Sequence, residues 1–255
     1  MFWKDKIVFL TGASSGIGEA LAIEIAKQGA IVGLVARREE LLRGLAEKCE
    51  SVGGKARVFA CDVVDASAVQ NAADALREEF GKIDILIANA GIGGNNKETR
   101  ELQPEAVKKV IDINLIGAVN SVYAVLPQML EQKNGQLVAI SSLAGFRGLP
   151  KSAAYSASKA GMTTFFESVR LDVQQKGVAV TIIQPGFIKT PLTSGRENKM
   201  PFFDGTWRRT SAFSESYRKT QKIRRISLAT RHICSCGQNF SGLALRQNCK
   251  RREIS

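Results

Sequence analysis

No uninterrupted apolar run in this chain of 255 residues reaches the ~18 residues that a membrane-spanning helix needs. The opening stretch, MFWKDKIVFLTG, lacks a basic leader, a long apolar core and a small-residue cleavage site, so no secretory signal is expected. The 5 cysteines have no paired spacing. That argues against a disulfide framework and for a reducing, cytoplasmic setting. There is no internal repeat, and no Pro-rich linker precedes residue 190. With 44% hydrophobic and 24% charged residues, collagen-like, low-complexity and wholly disordered chains are excluded.

The net charge of +12 resembles a nucleic-acid signal only until it is divided by position. Residues 1–195 hold 22 Lys and Arg against 20 Asp and Glu. Residues 196–255 hold 14 against 4. The body is nearly neutral and the tail carries the basicity, so 1–195 and 196–255 are read as separate units.

Along the body, short apolar runs alternate with amphipathic stretches. Strands are expected at 6–10, 30–36, 56–63, 83–91, 136–142 and 178–186. Helices are expected at 16–29, 38–50, 66–80, 103–116 continuing through Met129, and 153–176. Continuously apolar strands between helices imply a parallel sheet covered on both faces. The expected fold is a single α/β domain with a doubly wound parallel sheet, whose ligands bind at the carboxyl ends of the strands.

The first strand–helix turn reads Thr11-Gly12-Ala13-Ser14-Ser15-Gly16-Ile17-Gly18. Gly12 suits the tight turn, and Gly16 and Gly18 are expected to let the backbone approach a pyrophosphate at a helix N-terminus. Tyr155 and Lys159 stand four apart on one helix. A cation there is expected to lower the phenol pKa toward the range of an acid–base catalyst. Ser142, on a strand end, can reach the same pocket. At the end of the second strand, Ala36-Arg37-Arg38 replaces the acidic residue that holds a ribose 2′-hydroxyl. Two guanidiniums favour a 2′-phosphate, hence NADP(H) over NAD(H), although both arginines could simply open a charged helix with Glu39 and Glu40.

These motifs, in this order, resemble the short-chain dehydrogenase/reductase family over about residues 5–195. The matching segments are TGASSGIG, Asn89-Ala90-Gly91, Asn114, Ser142, Tyr155-Ser156-Ala157-Ser158-Lys159, and Pro185-Gly186 followed by Thr190. The resemblance implies a Rossmann-like fold and an NADP(H)-dependent oxidoreductase interconverting a carbonyl and a secondary alcohol. It implies that Tyr155 is the acid/base and that Ser142, rather than Ser141, binds the carbonyl oxygen. Lys159 would hold the ribose hydroxyls, and Asn114 would support a water chain from Lys159. Cofactor contacts are implied at Gly12, Ser14, Ser15, Gly16, Ile17, Gly18, Arg37, Arg38, Asp62, Val63, Asn89, Ala90, Gly91, Pro185, Gly186, Ile188 and Thr190. Asp62 is either an adenine contact or a loop cap, and Asn114 could instead cap or kink its helix. The resemblance also implies a homo-oligomer.

Leu143, Phe146, Leu149 and Phe187 point to a small apolar carbonyl or alcohol substrate such as a steroid, lipid or aromatic compound. The segment from about residue 201 departs from the family pattern. It is Ser-, Arg- and Cys-rich, without clean helical or strand periodicity, and is expected to lack a seventh strand and native packing. A disordered basic extension and translation in a shifted frame both compete with a true domain element. If the tail impairs folding, the alternative is a catalytically impaired cofactor-binding protein. His232, Cys234, Cys236 and Cys249 lack the spacing of a structural zinc site, so no metal is expected. No recognition helix or aromatic interleaving supports nucleic-acid binding by the tail.

Overall fold

The computed structural model describes residues 2–94, 101, 103–186, 188, 190–193 and the pair Ile226–Ser227. Six strands and their helices follow the expected order: β1 (Ile7–Thr11), α1 (Gly16–Lys27), β2 (Ile31–Ala36), α2 (Glu39–Ser51), β3 (Lys55–Ala60) and α3 (Ala66–Phe80). Then come β4 (Ile85–Ala88), α4 (Pro104–Ile111), α5 (Gly117–Glu131), β5 (Gly135–Ile140), α6 (Ala153–Val173) and β6 (Val178–Gln184). Every pairing among the described residues is parallel, and with β7 (Ile226–Ser227) the sheet order is β3-β2-β1-β4-β5-β6-β7. The order reverses between β1 and β4, and the crevice at that switch point receives ligands in folds of this type.

Alternation along the strands explains the two covered faces. In β1, Ile7 and Phe9 pack with α3, α5 and α6 through Leu76, Val122 and Phe166. Val8 and Leu10 pack on the other face with Leu21 and Ile25 of α1 and Leu42 and Leu45 of α2. Side chains of a strand point to opposite faces in turn, so an unbroken apolar run serves both layers. Each fully buried Leu, Ile or Phe contributes roughly 1.5–3 kcal/mol by removal from water.

The expected long helix after β4 is interrupted. Between α4 and α5 lies a π-helical turn, Asp112–Ile116, which contains Asn114. Such turns insert one residue into a helix and re-aim the side chains around it. The whole stretch Pro104–Glu131 is long and apolar enough by composition to cross a membrane, but half of its most apolar window is buried in the fold. It serves as a core helix here.

A seventh strand is present where none was expected. β7, Ile226–Ser227, pairs with Ile183 and Gln184 of β6. The outer edge of β6 offers unpaired backbone N–H and C=O groups, and even two residues can satisfy part of that ladder. Apart from this pair, the tail from residue 201, including the four candidate metal ligands, lies outside the described residues.

One buried carboxylate fixes the amino end of the sheet. Asp84, which enters β4, accepts from Ile7 N–H at 3.0 Å. It pairs with Lys82 at 3.0 Å and Lys6 at 3.4 Å. Its backbone joins β1 and β5, donating to Ile7 O and accepting from Gln136 N, each at 2.9 Å. Asp84→Ala leaves a buried N–H and two lysines without their partner. Denaturant unfolding should show a loss of about 3 kcal/mol, with Asp84→Asn losing less because an amide oxygen still accepts. Wild-type stability in the alanine variant would contradict this account.

Candidate active site

The carboxyl ends of β1 to β5 surround a cavity of about 400 Å³. At one end it is lined by Ser14, Ser15, Arg37, Arg38, Asp62 and Val63, and at the other by Tyr155, Lys159 and Leu192. Gly12, Gly16, Ile17, Asn89, Ala90 and Gly91 line the middle. The first helical turn of α1 opens onto this space, and no side chain caps it. Its N–H groups and dipole favour an anion there.

The Gly loop is held by packing as much as by hydrogen bonds. Gly12 has φ +65°, and a Cβ there would lie 2.6 Å from Ala90 Cα. A Cβ on Gly18 would lie 2.3 Å from Gly12 O. Asn89 Nδ2 donates to Thr11 O at 3.0 Å and to Gly12 O at 3.1 Å. Thr11 Oγ1 accepts from Asn89 N and Ala90 N at 3.1 and 3.2 Å. The end of β4 therefore clamps the β1–α1 turn. Gly18 does not line the cavity as expected. Its missing side chain makes room for the loop's own backbone.

At the far end, α6 presents Tyr155 and Lys159. Ser142 caps a short 3-10 turn, Leu143–Gly145, by accepting from Ala144 N at 3.1 Å. Its hydroxyl also hydrogen-bonds the Tyr155 phenol. Ser141 is engaged elsewhere, with Thr163 Oγ1 at 2.7 Å and Lys159 O at 3.1 Å. Of the serine pair, Ser142 is thus the one that meets Tyr155.

Burial reverses the expected electrostatics of Tyr155. Desolvation pushes the phenol pKa up, and the Ser142 hydrogen bond only partly opposes it. Lys159 Nζ donates to Ile140 O at 2.8 Å and approaches Met162 Sδ at 3.7 Å. Burial moves the Lys159 pKa down from 10.5 to about 8. Both effects disfavour the charged form of a group removed from water.

Asn114 is fully buried, and its side chain is committed. Oδ1 accepts from Ile92 N at 2.7 Å, and Nδ2 donates to Ile92 O at 3.0 Å and Ser158 Oγ at 2.9 Å. Ser158 in turn donates to Tyr155 O at 2.8 Å. The π turn thereby joins the segment after β4 to the start of α6. Asn114, Ser142, Pro185, Gly186 and Ile188 are not among the residues that line the cavity. Pro185 O accepts from Leu143 N at 3.1 Å, and Ile188 O accepts from Thr193 Oγ1 at 2.7 Å. Thr190 lies on the lining, opposite Gly16.

At the other end, Arg38 Nη2 donates to Ser14 Oγ and Ser15 Oγ, each at 2.9 Å. Arg37 pairs with Asp62 at 3.6 Å. Asp62 also accepts from Val64 N at 3.1 Å. It caps its loop and also lines the cavity. Cys61, Ile92, Ile113, Pro191 and Leu192 line the cavity without having been singled out from sequence. Single apolar residues past a strand end carry no pattern that would have marked them. Among the described residues, no three His, Cys, Asp or Glu side chains form a metal cluster. Phe187 lies outside those residues.

The sequence profile described as short chain dehydrogenase matches residues 6–201. The chain belongs to the short-chain dehydrogenase family. It is 45% identical over 197 residues to an uncharacterized oxidoreductase of Myxococcus xanthus, covering 77% of this chain and 78% of that one. It is 38% identical over 192 residues to a 3beta-hydroxysteroid dehydrogenase of Mediterraneibacter gnavus, covering 74% and 68%. Among solved structures, an NAD+-bound xylitol dehydrogenase superposes with a TM-score of 0.72 at 32% identity, covering 74% of this chain and 73% of that one. A metagenomic short-chain oxidoreductase in complex with NADP gives 0.70 at 33% identity, covering 73% and 85%. Like its family, this short-chain dehydrogenase is an oxidoreductase acting on CH–OH groups.

The buried lysine gives this dehydrogenase a testable pH signature. Below about pH 8, Lys159 is protonated both folded and unfolded, and the fold bears the full cost of a buried charge. Above 10.5 it is neutral in both states and the cost is gone. Between these limits the unfolded chain binds more protons, so stability rises with pH. Measured against Lys159→Met, the wild-type unfolding free energy should therefore climb by about 3 kcal/mol across that window. A pH-independent difference between the two proteins would refute the burial argument.

Proposed function

We propose that this dehydrogenase interconverts a carbonyl and a secondary alcohol with NADP(H), using Tyr155 as the acid/base. The observation that carries the reading is the pairing of Tyr155 with Ser142 at the end of the cavity opposite Arg37 and Arg38. The residues fit a dinucleotide. The uncapped α1 terminus suits a pyrophosphate, the clamped Gly loop admits close approach, and a guanidinium pair suits a 2′-phosphate. When bound, the nicotinamide supplies or accepts the hydride.

The protein side of the reaction follows from the side chains. In reduction, Tyr155 gives its proton to the developing alkoxide, and in oxidation it takes one from the alcohol. A raised phenol pKa keeps that proton in place until charge develops. Ser142, fixed by Ala144 N–H, donates to the same oxygen as it turns negative. Lys159 lines the same end and would hold the ribose hydroxyls. Ser14, Ser15, Gly16 and Ile17 would hold the phosphates, and Asp62 and Val63 would contact the adenine.

An apolar substrate is supported by Leu192 on the cavity lining and by Phe146 and Leu149 nearby in sequence to Ser142. Phe146 is 77% exposed, so an apolar ligand that covered it would remove aromatic surface from water. The relative named for a 3beta-hydroxysteroid points the same way. Exposed Ile116 at the end of the π turn, Tyr123 on α5 and Leu171 on α6 supply apolar surface for the proposed homo-oligomer.

Fluorescence titration should give NADPH binding at least about tenfold tighter than NADH, about 1.4 kcal/mol. Equal dissociation constants would sink the cofactor assignment. Tyr155→Phe should abolish carbonyl reduction while leaving NADPH binding within about twofold, because the phenyl ring keeps its packing and loses only the proton. A Phe variant retaining most of its rate would require a different acid.

A further inference from the structure

We infer that Asp62 sets the strength of cofactor discrimination by competing with the 2′-phosphate for the Arg37 guanidinium. The inference rests on the NADP(H) reading above and adds a residue that opposes it. The two arginines at the end of β2 are restrained differently. Arg38 is shared between the Ser14 and Ser15 hydroxyls, neutral partners that leave no unpaired charge when they yield to an anion. Arg37 faces a carboxylate, with Nη1 at 3.6 Å from Asp62 Oδ2.

Asp62 is held in that position. Its Oδ1 accepts from Val64 N at 3.1 Å, and its carbonyl oxygen accepts from Asp65 N at 3.1 Å. The carboxylate belongs to a fixed turn and cannot follow Arg37 when that side chain swings. Arg37 and Asp62 together line both the main cavity and a second one of about 260 Å³ beside it. The second cavity is also lined by Lys108, Lys109, Glu105 and Asp112, so it offers no net charge of either sign to draw Arg37 away. The choice for Arg37 is therefore between the carboxylate and an incoming phosphate.

The side chains of Arg37 and Asp62 are 58% and 40% exposed, so the pair is screened and weak. It tempers discrimination without abolishing it. An enzyme that takes up one redox form of the dinucleotide and must release the other in each cycle tolerates such a brake more readily than the tightest possible grip. Asp62 would also contact the adenine, but any such contact acts equally on ligands with and without the 2′-phosphate. Their affinity ratio isolates the competition from that shared contact.

The experiment is calorimetric titration of the full chain with 2′,5′-ADP and with 5′-AMP, in wild type, Asp62→Asn, Arg37→Ala and the double variant. An asparagine still accepts from Val64 N, so the turn is kept, and 5′-AMP binding reports the fold in every variant. Asp62→Asn should raise the 2′,5′-ADP to 5′-AMP affinity ratio about two- to fivefold, the range of an exposed ion pair. Arg37→Ala should lower the ratio, and in its background Asp62→Asn should change nothing further. If Arg37→Ala lowers the ratio but Asp62→Asn leaves it unchanged, competition is refuted while the NADP(H) reading stands. If the gain persists undiminished without Arg37, direct repulsion by Asp62 replaces competition. If Arg37→Ala itself leaves the ratio unchanged, both the inference and the role of Arg37 fail.

Discussion

The close approach of the β1–α1 turn to the end of β4 is the constraint on which the site depends. Gly12, with positive φ, presses against the Ala90 backbone, and no side chain fits between them. Asn89 then spends its amide on Thr11 O and Gly12 O. Two neighbouring strands, far apart in sequence, are thus locked at their carboxyl ends. The lock leaves the first turn of α1 facing the crevice without a capping side chain. Everything that could bind an anion in the middle of the cavity follows from that contact.

A second lock joins the crevice to the chemistry. The Asn114 amide holds both backbone groups of Ile92 and reaches Ser158, which in turn holds the Tyr155 carbonyl oxygen. Tyr155 and Lys159 are thereby set against the end of β4 at fixed distance. Both groups are removed from water, and burial favours their neutral forms: the phenol pKa rises and that of Lys159 falls to about 8. Ser142 and the Ile140 carbonyl provide the hydrogen bonds that offset this desolvation. Burial thus favours the neutral phenol of Tyr155, opposite to the lowering that its i, i+4 spacing from Lys159 implies.

Much of this architecture is legible in the residues themselves. IVFLT, IVGLVA and VAVTIIQ are apolar without interruption, which only a strand covered on both faces tolerates. The strand ends were less legible: the run through Asp62 and Val63 stops pairing at Ala60, and the run through Gly91 stops at Ala88. Those extra residues are the ones that turn away and line the cavity. The two residues of β7 carry too little pattern to mark a strand, and they pair because β6 offers a free edge. Leu192 and the Thr193 hydrogen bonds to the 188–190 segment escaped notice for the same reason: short loop contacts have no period.

Local periodicity and glycine's geometry made the order of the elements along the chain, the doubly covered sheet, the Gly-rich turn and the family readable from the residues alone. A strand end and the next helix meet at the same edge of a parallel sheet, which is why Ser142, Tyr155 and Lys159 were expected together. What each group experiences there came only from the folded structure. It showed that Gly18 makes room for backbone, that Asn114 ties Ile92 to Ser158, that Arg37 faces Asp62, and that burial governs Tyr155 and Lys159. Those outcomes depend on desolvation and on partners up to dozens of residues away, and neither is written in the spacing of a motif.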